Sequence, residues 1–163
     1  MLNGKLKLGF TYTIKIEAPD GSVRMVEARN IVPNVGLDYI LGAAFLNEAR
    51  TNTFYLGLLD TDILPAAGSD MDDAAAGEFT SYSNFTRPQW TQARSGLTLT
   101  NAAAPAAYQI TADVDIVGLF VSNSANKDNS GKLISVANLP APEAVLAGST
   151  LTVTASFAFT STI

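Results

Sequence analysis

Two groups of carboxylates are the first residues to ask for chemistry. Asp60, Asp62, Asp70, Asp72, Asp73 and Glu78 crowd into residues 60–79, and Asp113 and Asp115 stand two apart beside a strongly apolar run. Acidic side chains in such number can hold Ca²⁺, a hard cation that takes roughly six to eight oxygens. The stretch Asp70-Met71-Asp72-Asp73 lacks the central Gly and the closing Glu of an EF-hand loop, so the spacing assigns no metal. The plain expectation is a solvated acidic loop, or one that meets a basic partner surface. For Asp113 and Asp115, acid/base work at a glycosidase-like separation needs a further acid opposite them, and an aromatic sugar platform such as Tyr82 and Trp90. The plainer expectation puts both near solvent at the start of a strand, or paired with Arg87 or Arg94.

The remaining inventory excludes more than it offers. The chain has no His and no Cys. That removes a Ser-His or Cys-His nucleophile pair and any thiolate metal site from a single chain. Neither Gly-x-x-x-x-Gly-Lys-Ser/Thr nor Gly-x-Gly-x-x-Gly occurs, so no phosphate-cradling loop is expected. A Ser-Lys pair is formally available, without a supporting context. Asn84-Phe85-Thr86 matches a glycosylation acceptor, which matters only on a secretory route. Met1-Leu2-Asn3-Gly4-Lys5 shows no signal-peptide pattern, and no apolar stretch reaches bilayer-spanning length. The expectation is a chain made in the cytoplasm, away from membranes. Net charge is −5, with 10 basic and 15 acidic residues, and the only basic clustering is Lys5, Lys7 and Lys15. No basic stripe for nucleic acid is present. No catalytic residue, metal or cofactor is expected, and the chain is not read as an enzyme.

Alternation dominates the elements that must position anything functional. Leu6, Leu8, Phe10, Tyr12, Ile14 and Ile16 alternate with polar residues over 5–17, the period of a half-buried strand. Pro19-Asp20-Gly21-Ser22 is a tight-turn sequence, and 23–31 completes a hairpin. After Pro33, Asn34 suits an N-cap, and Leu37, Ile40, Leu41, Ala44 and Phe45 fall on one helical face. The spacing predicts a helix over 35–47, packed across an open end or edge of the sheet.

Further strands are expected at 54–59, near 89–94, and at 97–100, 112–123, 132–139 and 150–160. The strand at 112–123 is apolar on both faces, with Val114, Ile116 and Phe120 on one and Val117, Leu119 and Val121 on the other; it should be central and covered on both sides. Residues 60–79 read as a long loop, with at most one helical turn at 70–76. Asn101–Ala107 reads as a turn, and Pro140 and Pro142 punctuate the chain after 139. With 47% hydrophobic and only 15% charged residues, against roughly 25% charged on average, the surface must be rich in neutral polar groups. The fold class is all-β: a jelly-roll or β-sandwich of about eight strands with one short helix, in one domain over 1–163.

The aromatic cluster Phe79, Tyr82, Phe85 and Trp90 has two readings. It caps the core beneath the acidic loop, or it anchors an interface, where Tyr, Trp and Arg are enriched. On the second reading, Tyr82, Arg87 and Trp90 are the interface residues.

One resemblance extends this. Asn30-Ile31-Val32-Pro33-Asn34-Val35-Gly36-Leu37-Asp38-Tyr39-Ile40-Leu41 resembles a pattern near the start of small tailed-phage virion proteins, in which a strand runs into an Asn/Gly turn and a short helix. Thr53–Asp60 resembles the strand that follows there. Segments 117–122, 131–135 and 148–157 are Gly-punctuated strands ending in a Thr-rich one. The resemblance runs from residue 30 onward with a gap over 60–112. It is nearest to the capsid cement, or decoration, proteins of tailed bacteriophages. Their β-sandwich or jelly-roll subunits sit on the outer capsid as dimers or trimers and clamp neighbouring capsomers. It implies a structural virion protein on the capsid exterior, with the major capsid protein as partner and homo-oligomers, and no catalysis or cofactor. The alternative is a tail fibre or baseplate component that binds a host surface glycan.

Overall fold

The computed structural model describes residues 5–48 and 51–162. Along the chain run β1 (Lys5–Glu17), β2 (Val23–Arg29), α1 (Asn34–Phe45), β3 (Phe54–Leu59), α2 (Met71–Ala76), β4 (Glu78–Phe79) and β5 (Gln89–Trp90). Then come β6 (Ala93–Ser95), β7 (Thr98–Thr100), β8 (Ala106–Gln109), β9 (Val114–Ser122), β10 (Leu133–Val145) and β11 (Thr150–Thr162). They build two antiparallel sheets, ordered β2-β1-β11-β7-β6 with β8 also on β11, and β10-β9-β3-β4 with β5 also on β3. The class is all-β and the architecture a two-sheet sandwich.

The two most regular stretches of sequence find each other. β1 and β11 pair along their whole length, from Lys5 opposite Thr162 to Glu17 opposite Thr150. Their shared period of two sends Ile14, Ile16, Leu151 and Val153 inward, all fully buried, and leaves Thr13 opposite Thr154 on the outer face. From the second sheet, Leu56, Leu58, Leu119 and Val121 complete the core. Each such side chain contributes about 1.5–3 kcal/mol by burial. A polar link joins the sheets inside this core. The Tyr12 hydroxyl lies 2.6 Å from Ser135 Oγ, and Asn30 Nδ2 donates to the same oxygen at 2.7 Å. Desolvation pushes the Tyr12 phenol far above its ordinary range, against the Ser135 hydrogen bond.

β9 is central, between β10 and β3, and apolar contacts cover both its faces. The faces differ from the alternation in the sequence. The β10–β9 register breaks between Asn138 and Glu143, opposite Gly118 and Ile116. Past this irregularity Ile116 joins Leu119 and Val121 in the inter-sheet core. Phe120 instead turns to a second, smaller core with Leu59, Met71, Leu133 and Val136, against which Val117 packs. Such breaks in pairing re-aim side chains.

Eleven strands stand among the described residues in place of about eight, because several are only two to four residues long and carry no measurable period. Ala106–Gln109, inside and beyond the expected turn, is β8, paired with β11. β10 runs to Val145 through Pro140 and Pro142. It is an edge strand, where missing N–H donors are tolerated.

α1 departs most from expectation. It starts at Asn34, so Pro33 and not Asn34 is the N-cap, and no side chain caps it. Pro there needs no N–H partner. The helix meets edge strand β10 through Gly36: a Cβ on Gly36 would lie 2.5 Å from the Ile134 carbonyl oxygen. The close approach fixes which face is buried. Gly36 is buried against β10 and Tyr39 and Ile40 pack on the core, Gly42 is covered by the Glu48 carboxylate, and Leu41 and Phe45, expected in the core, are 55% and 80% exposed.

In the acidic stretch 60–79, residues 60–70 are irregular and the helical turn expected at 70–76 is α2, followed by the two-residue β4. The segment covers the outer face of the second sheet, with Met71 and Ala74 buried in the smaller core. Asp70 caps α2 by accepting from the Asp72 and Asp73 amides, and Asp73 returns a bond from the Asp70 amide. Asp70→Ala is expected to cost about 0.5–2 kcal/mol, read as a lower urea midpoint with an unchanged slope.

Candidate interaction surface

Arg87 ties the segment 80–88 to the residues around it. β4 brings Glu78 beneath the segment 80–88, and both side chains are essentially inaccessible (0% and 1%). The guanidinium donates to the Glu78 carboxylate twice, Nε to Oε1 and Nη2 to Oε2, each at 2.7 Å. Its remaining donors reach the carbonyls of Ser124 at 3.1 Å and Asp128 at 2.7 Å. The guanidinium carbon also stands 5.0 Å from the centre of the Phe120 ring. This planar fork matches a carboxylate edge-on.

A second cation pins the same loop. Lys127 Nζ donates to the Thr80 and Asn84 carbonyls at 3.1 and 2.7 Å, and sits 3.7 Å from the Tyr82 ring centre. Partial desolvation lowers the Lys127 ammonium from its ordinary value, while the Glu78 charge opposes the shift. Backbone bonds fix the loop's limbs: the Ser83 amide donates to Gln109 and the Arg87 amide to Ala125, both at 2.9 Å. At the tip between them, Phe85 is 97% exposed.

The residues chosen from sequence as interface contacts are therefore core. Tyr82, Arg87 and Trp90 are 5%, 1% and 3% exposed, and none offers a face to a partner. Trp90 donates from Nε1 to the Ala155 carbonyl at 3.0 Å, across to the first sheet. Its ring packs against Phe10 and Phe54. Tyr82 stands edge-on to Tyr108, and burial raises its phenol well above the ordinary range. The core-capping reading fits Phe79, Tyr82 and Trp90, whereas Phe85 is the aromatic that sequence reasoning failed to separate from them. The available signal was its setting: Phe85 stands between Asn84 and Thr86, outside any alternating run.

The carboxylates do not converge. Asp62 accepts from the Leu64 amide at 2.7 Å and from Asn138 Nδ2 at 2.6 Å, and these bonds lower its pKa. Asp72 accepts from Asn129 Nδ2 at 2.7 Å. Glu78 belongs to Arg87. Among the described residues no three His, Cys, Asp or Glu side chains group as metal ligands. Asp113 and Asp115 are exposed at the start of β9. Asp113 accepts from the Ala147 amide at 2.8 Å. Neither reaches Arg87, which holds Glu78, nor Arg94, which donates to the Gly96 carbonyl. A cleft of about 450 Å³ lies between the start of α1, residues 67–72 and residues 129–133. Its Asp70 and Asp72 are already engaged in the α2 cap and with Asn129.

Large apolar side chains are exposed at several separate places among the described residues, including Met25, Leu64, Leu97 and the Phe85 tip. Three more stand together at the end of α1, where Leu41, Phe45 and Leu46 are 55%, 80% and 70% exposed. Adjacent turns place the first two side by side. No family model matches the chain, and no curated protein and no solved structure matches it.

Proposed function

We propose that the protein is a structural component of a tailed-bacteriophage particle that decorates the capsid exterior and stabilises it by clamping neighbouring capsomers, with the major capsid protein as partner. The observation that carries this reading is Phe85, 97% exposed on a loop held by a buried bidentate ion pair. A large apolar side chain held out by rigid backbone is an anchor that loses little freedom on docking. Buried aromatic anchors supply much of the energy of an interface. A capsid repeats its surface, so modest contacts multiply through avidity. The Thr-rich outer face of the first sheet is in keeping with a structural role. A tail fibre or baseplate component gripping a host glycan fits less well, because small ligands favour concave sites and Phe85 stands on a protrusion.

Co-sedimentation with capsids purified without this protein tests the reading. Wild-type protein should bind saturably. Phe85→Ala should weaken binding at least about tenfold while leaving stability within roughly 0.5 kcal/mol of wild type. Equal binding by Phe85→Ala overturns the anchor. Retention of the wild type on tails or host glycan, with none on capsids, favours the alternative.

A further inference from the structure

The Phe85 tip does not stand alone at its end of the molecule. Arg87 ties its segment to the carbonyls of Ser124 and Asp128. Asn129, next in that loop, donates to Asp72 Oδ1 at 2.7 Å. These bonds link the start of α2 to the loop that carries Phe85. Beside them opens the cleft of about 450 Å³. Val35, Met71 and Leu133 give it an apolar side, and the exposed Asp70 and Asp72 give it an acidic one.

Both carboxylates are engaged through one oxygen only. Asp70 accepts the Asp72 and Asp73 amides at Oδ1, and Asp72 accepts Asn129 at Oδ1. Among the described residues, Oδ2 of each makes no hydrogen bond and neither acid has an ion pair. An ionised carboxylate accepts at both oxygens, so two acceptors stand unused at one cleft. Lys132 lines it as well, which leaves one ammonium against two carboxylates. Asp73 and Asp128, exposed next to them in sequence, add negative charge. Lys127 is spent on the Thr80 and Asn84 carbonyls.

We infer that the surface on which Phe85 docks is basic, and that it sends an arginine side chain into this cleft, with the methylene stem along Val35, Met71 and Leu133 and the guanidinium on Asp70 and Asp72. This rests on the reading of Phe85 as an anchor and names the chemistry of what the anchor meets. Long cationic side chains lay their stems on apolar surface and keep the charge at its rim. The planar fork of arginine reaches two acceptor oxygens at once, as a compact ammonium does not. A bare Ca²⁺ ion fits worse, since it takes roughly six to eight oxygens and would meet Lys132. A standard interface buries ~800 Å² on each partner, enough to cover knob and cleft together.

Two measurements test the cleft apart from the anchor. In the first, N-acetylarginine amide is titrated into the full chain and followed by amide NMR shifts. Residues 68–72 and 129–133 should move together, and N-acetylnorleucine amide should leave them in place. Asp70→Asn with Asp72→Asn should abolish the response; Asn still caps α2 and still accepts from Asn129. In the second, co-sedimentation with capsids lacking the protein is repeated from low to high salt. Wild-type binding should weaken as salt rises. The Asp70→Asn, Asp72→Asn variant should bind about tenfold more weakly at low salt and respond less to salt. Asp113→Asn with Asp115→Asn removes the same two charges at the other end of β9 and should bind like the wild type. An arginine amide that moves none of these residues overturns the inference. So does wild-type affinity in the cleft variant while Phe85→Ala binds weakly, or equal weakening by the Asp113 and Asp115 variant. Undiminished capsid binding by Phe85→Ala removes the anchor itself, and the inference with it, whatever the titration shows.

Discussion

Arg87→Met is expected to destabilise the protein by about 3–5 kcal/mol. The substitution leaves the Glu78 carboxylate, 1% accessible, without its guanidinium. It also strips two loop carbonyls, of Ser124 and Asp128, of their donor. For a chain of this size the loss corresponds to a fall in Tm of roughly 6–20 °C. Removing both charges separates the cost of an orphaned charge from the worth of the pair. Arg87→Met with Glu78→Leu should recover much of the loss, since a buried pair replaced by apolar groups is often near neutral. The single variant should also free the segment that displays Phe85 and weaken partner binding. A residue acting only as a surface contact predicts the reverse, with stability intact and binding alone reduced. Thermal unfolding of the two variants beside the wild type decides between them.

Trp90→Ala should cost a similar amount, about 3–5 kcal/mol. The ring is 3% exposed between the sheets, in contact with Phe10 and Phe54. Its removal leaves a cavity, and the Ala155 carbonyl loses the indole donor at 3.0 Å. Trp90→Phe keeps most of the apolar surface and should cost distinctly less. Urea unfolding measures both, and an unchanged midpoint for Trp90→Ala would contradict the placement of this ring in the core.

The sequence disclosed the sandwich because its alternation is strongest where strands are longest. β1 and β11 were legible to within a residue or two, as was the coverage of β9 on both faces. What escaped has physical causes. β8 and the two-residue strands are too short to show a period, and pairing with β3 or β11 decides them. Ile116 and Phe120, expected on one face, are parted across the β10–β9 register break, and no local pattern announces it. α1 was found as a helix, and Ile40 of its expected face packs on the core, but Leu41 and Phe45 turn outward. Hydrophobicity names an apolar stripe, whereas here close packing through Gly36 against the Ile134 carbonyl chose the buried face.

The candidate surface was half legible. Composition pointed to the right segment, 79–90, and to its aromatic character. It could not show that Arg87 has a buried acid nine residues away, because β4 brings that acid beneath the loop only through its pairing with β3. Arg, Tyr and Trp are enriched in interfaces and in buried networks alike, so residue type alone put the core residues at the surface. In the acidic stretch the expected solvated carboxylates are found, since Asp60, Asp62, Asp70, Asp72 and Asp73 are exposed, and only Glu78 is drawn inward. Its carboxylates serve as caps and hydrogen-bond acceptors for local amides and for Asn129 and Asn138.

The most direct test of the central proposal is the thermal stability of the capsid itself. Scanning calorimetry would compare capsids lacking this protein before and after saturation with the purified chain. A ligand that binds only the assembled state raises its melting temperature by an amount that grows logarithmically with free ligand above the Kd. Added wild-type protein should raise the transition progressively, and Phe85→Ala at the same concentrations should raise it much less. A capsid transition that stays in place at saturating protein would contradict a clamping role.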